Sequence, residues 1–175
     1  MEALKRKTCL IFLLFFSITI SAQLQNKILG YTLGISQFDY VNNNLNAKGI
    51  DCLAWTSGKI EIKNTLSFGG YNWDYTELNF VGKKFSSASF KAYSFSRTQY
   101  EKLRNVLVSK YLSYQKPTKT SNGYGYGDTV TETFQDSKTT IVLFYNNNGS
   151  GYVSLTYKDR KLTERETSTS NSNEL

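Results

Sequence analysis

Acidic side chains come nearest to a chemical constellation in this 175-residue chain. Asp74 with Glu77 forms one tight grouping, and Asp128 with Glu132 and Asp136 forms another. Paired carboxylates are the remaining route to hydrolysis, one serving as acid and the other as base or nucleophile. The chain has no histidine, which excludes Ser–His and Cys–His nucleophile pairs. The same absence removes the commonest metal ligand and neutral-pH base. Both acidic groupings adjoin turn signals, where carboxylates are commonly solvated, so a carboxylate-based hydrolase stands last among the readings. The Asp128–Asp136 spacing does not fit a calcium loop. Gly123-Tyr124-Gly125-Tyr126-Gly127 lacks the lysine and the strand–helix context of a phosphate-binding loop. The sequence therefore predicts neither an enzyme nor a cofactor or metal.

Aromatic residues point to binding instead. There are 13 Tyr, 11 Phe and 2 Trp, and Phe12, Phe15 and Phe16 lie in an N-terminal apolar run. Tyr and Trp supply contact area at low entropic cost. Tyr71, Trp73 and Tyr75 follow Gly69-Gly70, and Tyr124 and Tyr126 alternate with glycines. Glycine gives such turns backbone freedom without a core position to fill. Trp73, Tyr75, Tyr124 and Tyr126 are accordingly the candidate partner-contacting residues. The competing reading is sheet propensity and core filling, with Trp73 opening a strand and packing inward. Trp55, behind Cys52-Leu53-Ala54, is assigned to the core. Asn148-Gly149-Ser150 matches a glycosylation sequon but reads more simply as a hairpin turn.

The N-terminus sets the compartment. Lys5-Arg6-Lys7, an apolar run from Leu10 to Ile20, and Ser21-Ala22 follow the order of a cleavable secretory signal peptide. The run is shorter than the roughly 20 residues that span a bilayer. Residues 1–22 are expected to be removed, leaving an exported protein, periplasmic or extracellular, with no membrane span. Cys9 sits at the wrong end of the run for a lipid anchor. Losing Lys5, Arg6, Lys7 and Glu2 with the leader takes the formal net charge from +7 to +5. Those charges are scattered, as on an ordinary solvated surface, and attraction to an acidic lipid or protein is the alternative. Nucleic acid is not an expected partner, for there is no basic helix or recognition motif. Cys52 becomes the only thiol, which excludes thiolate zinc sites and an internal disulfide. Its apolar neighbours predict burial.

The elements that would position these residues come from a repeat. Residues 36–48 align with 98–110 at an offset of 62: Ser36/Thr98, Gln37/Gln99, Phe38/Tyr100, Asp39/Glu101, Leu45/Leu107 and Lys48/Lys110. Ser36 with Asp39, and Thr98 with Glu101, have capping-box spacing. Phe38, Val41, Leu45 and Tyr100, Leu103, Leu107 each form one apolar helix stripe. Helices are predicted near 37–48 and 98–111, the first ended by Gly49 and the second barred by Pro117. Strands follow each helix: 60–62, 76–80 and 87–91, then 130–134, 139–145 and 154–158. Ser87–Lys91 aligns with Ser154–Lys158 at an offset of 67.

The expected fold class is α+β: two tandem helix–three-strand units forming an antiparallel sheet with the helices packed on one face. The expected domains are a first unit at 23–96, a second at 97–162, and a disordered polar tail at 163–175. This order of helix and meander, with the Ile28–Ser36 entry segment, resembles the β-lactamase inhibitor protein fold. It also looks like the outer-membrane assembly lipoproteins of the BamE/SmpA type. The inhibitor resemblance implies two tandem α/β units presenting a concave sheet to a protein target. The chain lacks the inhibitor family's disulfides and the lipoproteins' anchor cysteine. Function then reads as an exported, non-catalytic binding or inhibitor-like module that contacts a protein or envelope polymer. A structural or assembly accessory of the envelope is the alternative.

Overall fold

The structure, a computed structural model, describes residues 24–56, 58–111, 118–122 and 129–172. The leader, Tyr124 and Tyr126 lie outside these residues. In chain order the elements are β1 (Lys27–Ile28), β2 (Tyr31–Thr32), α1 (Phe38–Ala47), β3 (Cys52–Trp55), β4 (Lys59–Ile62), β5 (Leu66–Phe68), β6 (Tyr71–Trp73), β7 (Tyr75–Val81) and β8 (Lys84–Ala92). There follow α2 (Arg97–Tyr111), β9 (Thr118–Asn122), β10 (Thr129–Gln135), β11 (Thr139–Asn146), β12 (Tyr152–Asp159) and α3 (Arg160–Ser172). The fold is α+β.

Eight strands form one antiparallel sheet in the order β3-β4-β7-β8-β12-β11-β10-β9. Each half therefore supplies four strands to the sheet, not the three expected, because β3 and β9 at the two edges carry no clear apolar alternation. The first half adds a small β5–β6 hairpin. The Gly82-Lys83 turn between β7 and β8 has φ of +54° and +65°, the two-residue geometry that matches strand twist.

Period-2 alternation divides the sheet into two faces. One face is apolar. Its register runs Ile60, Leu78, Ala88, Tyr157, Ile141, Phe134 across six strands. The row beside it runs Ile62, Thr76, Phe90, Leu155, Leu143, Glu132. All twelve side chains are buried. The β5–β6 hairpin adds to this core, with Phe68 stacked on Phe90 at 4.4 Å and Trp73 against Phe90 at 5.6 Å.

Both predicted helix stripes are buried: Phe38, Val41 and Leu45 on α1, and Tyr100, Leu103, Leu107 and Tyr111 on α2. Phe38 meets Phe80 edge-on at 5.1 Å, and Tyr100 stacks on Tyr145 at 4.5 Å. The caps differ from the capping boxes read in the sequence. On α2 the box is Ser96 with Gln99: Gln99 Oε1 accepts from Ser96 N at 2.9 Å, and Ser96 Oγ accepts from Gln99 N at 3.3 Å. On α1 no side chain caps the helix. Its first amide, Phe38 N, instead donates to the Lys83 carbonyl in the β7–β8 turn at 2.8 Å. Ser36 Oγ accepts from Thr32 N. Gly49, at φ +69°, ends α1 as expected.

Two further expectations are corrected. The segment 163–175, expected to be a disordered polar tail, is helical as far as Ser172, the end of α3. Asp159 caps it by accepting from Leu162 N at 2.9 Å, and Leu162 is buried. Low hydrophobicity suggested disorder, but a capped start directly after a core strand and one buried leucine outweigh it. Trp55, expected in the core, is 49% exposed. It lies on edge strand β3, opposite Lys59, on the other face of the sheet. Among the described residues no helix is long and apolar enough to cross a membrane.

Candidate functional site

The second face of the sheet gathers polar and aromatic side chains from strands that sequence spacing does not relate. Its rows run Glu61, Glu77, Ser89, Thr156, Val142, Thr133 and, beside it, Tyr75, Lys91, Ser154, Phe144, Thr131. Near the β3 edge these form a connected cluster. Glu61 and Glu77 stand directly opposite one another on β4 and β7, a placement that like charges disfavour. Two neighbours compensate. Lys59 Nζ lies 2.7 Å from Glu61 and 4.0 Å from Glu77. The Tyr75 hydroxyl lies 3.0 Å from Glu61 Oε1 and 2.9 Å from Glu77 Oε2, with one proton for two acceptors. Asn79 Nδ2 donates to Glu77 Oε1 at 2.9 Å.

Electrostatics follow the contacts. The hydrogen bond from Lys59, helped by that from Tyr75, holds the Glu61 carboxyl below its usual range. The hydrogen bond to Glu61 raises Lys59. Burial, then the two carboxylates, pushes the Tyr75 phenol far up, so Tyr75 is a neutral donor. Two cations cap the rings from outside: Lys59 over Trp55 at 5.3 Å and Lys91 over Tyr75 at 5.0 Å. The cluster offers an exposed indole, ammonium donors and carboxylate acceptors side by side. Within it the Glu61 carboxyl is held ionised by its donors and the Tyr75 phenol is held neutral by burial and the two carboxylates.

The predicted site residues separate. Trp73 is fully buried, and its Nε1 donates to the Phe68 carbonyl at 2.9 Å. It is a core residue that ties the β5–β6 hairpin and has no place on the outer surface. Its place in a short alternating strand, after a turn made by two positive-φ glycines, turns the ring inward. Tyr75 belongs to the cluster. Tyr124 and Tyr126 fall outside the described residues.

The acidic groupings also separate. Asp74 Oδ2 accepts from Tyr93 N at 2.8 Å, while Glu77 faces Glu61. Asp136 closes a turn, Oδ1 accepting from Lys138 N and Thr139 N, and Oδ2 from Leu24 N at 2.6 Å. Glu132 points into the core beside Leu143 and takes Arg104 Nε at 2.7 Å and the Tyr100 hydroxyl at 3.3 Å. Burial, then the Glu132 carboxylate, pushes the Tyr100 phenol up to about 12. Asp128 is outside the described residues. Among those that are described, no three of His, Cys, Asp and Glu form a metal-holding group. Cys52, expected to be buried, is half-buried against the core, its Sγ 3.6 Å from Asn46 Oδ1. Burial, then Asp51, raises its thiol.

Sequence reasoning missed Glu61, Lys59 and Trp55. The signal for Glu61 and Glu77 was present as alternation in two strands, but their meeting depends on register. Compared with protein-family models, with curated proteins and with solved structures, the chain matches none.

Proposed function

We propose that this chain is a non-catalytic binding module that contacts a protein or an envelope polymer through the second face of its sheet. The observation that carries the reading is the Trp55–Lys59–Glu61–Tyr75–Glu77 cluster: an exposed aromatic ring set among ordered donors and acceptors, on a face that leaves the core to the other side. Contact residues of this kind supply most of the energy in protein interfaces. Export by a leader at residues 1–22, to the periplasm or beyond the cell, is part of the proposal.

Duplication is the origin we propose for the sheet, with a helix-and-meander unit in each half and α1 and α2 sharing the apolar side. The register supports it. The sequence alignment equates Ser89 with Thr156, and these two residues pair directly where β8 meets β12. Their hydroxyls are hydrogen-bonded at 2.9 Å across 67 residues. Equivalent residues facing each other is what a local two-fold axis between two copies produces. The resemblance to inhibitor-like tandem folds rests on the same arrangement.

A scaffold or assembly role is favoured by a different observation. At the centre of the same face, β8 and β12 present Ser87, Ser89, Lys91, Ser154, Thr156 and Lys158, a hydroxyl and lysine stripe with no aromatic anchor.

The test separates the two. The immobilised protein is used to capture partners from an envelope extract, alongside Trp55→Ala, Tyr75→Phe and, as a control on α1, Tyr40→Ala. A binding cluster predicts that Trp55→Ala weakens capture of the same partner by about 2 kcal/mol or more, as a hot spot does, while Tyr40→Ala does not. Equal capture by Trp55→Ala, Tyr75→Phe and the parent would remove the cluster from the function. Loss only with Lys91→Ala and Lys158→Ala would favour the central stripe and the scaffold role.

A further inference from the structure

On the opposite side of the sheet, a cavity of about 130 Å³ lies between α2, the β5–β6 hairpin and the floor strand β12. Its walls are apolar and largely aromatic: Phe68 and Trp73 from the hairpin, Leu103 and Leu107 from α2, and Leu155 and Tyr157 from β12. Val106, which is 54% exposed, Gln25 and Lys110 also line it and stand toward solvent, so they form its rim. Lys110 Nζ donates to Gln25 Oε1 at 2.8 Å and lies 5.2 Å from the centre of the Tyr111 ring. Among the described residues no carboxylate pairs with Lys110, so its ammonium keeps donors for an incoming anion. Gly69 contributes backbone to the wall at φ +65°, leaving space where a side chain would project.

The dimensions restrict the occupant. An apolar cavity of about 150 Å³ stays dry and accepts one benzene ring. A gap of that size costs its lining side chains packing contacts, which an apolar occupant restores. Two ring pairs bracket this space on the hairpin side, Phe68 on Phe90 and Trp73 on Phe95. We infer that this cavity is a binding site for a small apolar carboxylate, a single ring or a short alkyl chain whose body packs between Trp73, Leu107 and Leu155 while its carboxylate pairs with Lys110 at the rim. Trapping apolar atoms supplies the affinity, and the lysine selects the acid over the neutral analogue. The site is independent of the cluster on the second face, so either can fail without the other.

The chain has only two tryptophans, which provides the readout. Nitrogen–proton correlation spectra contain one indole signal from Trp73, buried and hydrogen-bonded, and one from exposed Trp55 as an internal control. The full chain is titrated with sodium hexanoate, sodium benzoate and 1-hexanol. The expected result is a saturable shift of the Trp73 signal with hexanoate or benzoate and none of Trp55. Lys110→Gln, an exposed position whose replacement leaves the core intact, should weaken the two acids by about tenfold, the value of one charge-assisted hydrogen bond, and leave hexanol unchanged. Absence of saturation at Trp73 up to the solubility limit overturns the site. Saturation with hexanol and hexanoate alike, unaltered in Lys110→Gln, overturns the assignment to an acid.

Discussion

Arg104→Met tests whether the buried pair between α2 and β10 is what docks that helix. Glu132 is fully buried in a row of core side chains, and Arg104, with a side chain 34% exposed, is the cation beside it. Its Nε reaches both carboxylate oxygens, at 2.9 and 2.7 Å. Methionine retains most of the packing of the arginine stem but strands the carboxylate in the core. Removing one partner of a buried pair costs about 3–5 kcal/mol, because an uncompensated charge is left behind. Partial exposure of Arg104 admits some water, so the lower end, about 3 kcal/mol, is expected here. For a chain of this size each kcal/mol moves the melting temperature by about 2–4 °C, giving a drop of roughly 6–12 °C. The assay is denaturant unfolding by circular dichroism, run with Glu132→Leu and with the Arg104→Met/Glu132→Leu double variant. If the cost is the stranded charge, the double variant recovers most of the loss, since a packed apolar pair replaces the ion pair. A single variant that costs under about 0.5 kcal/mol, or a double variant no better than Arg104→Met, would refute the reasoning.

Alkaline pH should unfold the protein. Tyr31, Tyr75, Tyr100, Tyr145 and Tyr157 are all raised, chiefly by burial, Tyr100 to about 12. Above pH 10 the unfolded chain loses phenolic protons that the folded chain keeps, so stability is complete below about pH 10 and falls as pH rises toward 12. Absorbance at the phenolate band should show these phenols titrating late and together with loss of structure; a single transition for every tyrosine near pH 10 in folded protein would contradict the burial. Leu45→Ala and Leu107→Ala, at positions 1% and 4% exposed, should each cost about 2–5 kcal/mol in denaturant unfolding. N-terminal sequencing of the exported protein should begin at Gln23 or within a residue or two, and recovery of Lys5–Lys7 in mature protein would remove the leader from the account.

Local pattern was enough for most of the elements. Both helix stripes, α1 ending at Gly49, and six of the eight main strands follow from apolar spacing and turn residues, because those signals act over a few neighbours. Trp73 shows where such signals stop. Two glycines beside an aromatic read as an open loop, yet the hairpin they form folds onto Phe90 and buries the indole. That outcome depends on what lies across the sheet. Trp55 shows the converse: apolar neighbours suggested a core, but an edge strand has no partner beyond it and its second face meets solvent. Glu61 and Glu77 sit 16 residues apart in sequence and meet only because β4 and β7 are neighbours in one register. Glu132 reads as one more surface acid until α2 brings Arg104 over it. The sequence by itself therefore determined element type, the apolar stripes and the absence of imidazole chemistry, since these depend on residue identity and short-range geometry. Tertiary structure decided strand order, register and which side chain faces which, since these are settled by contacts between segments far apart along the chain.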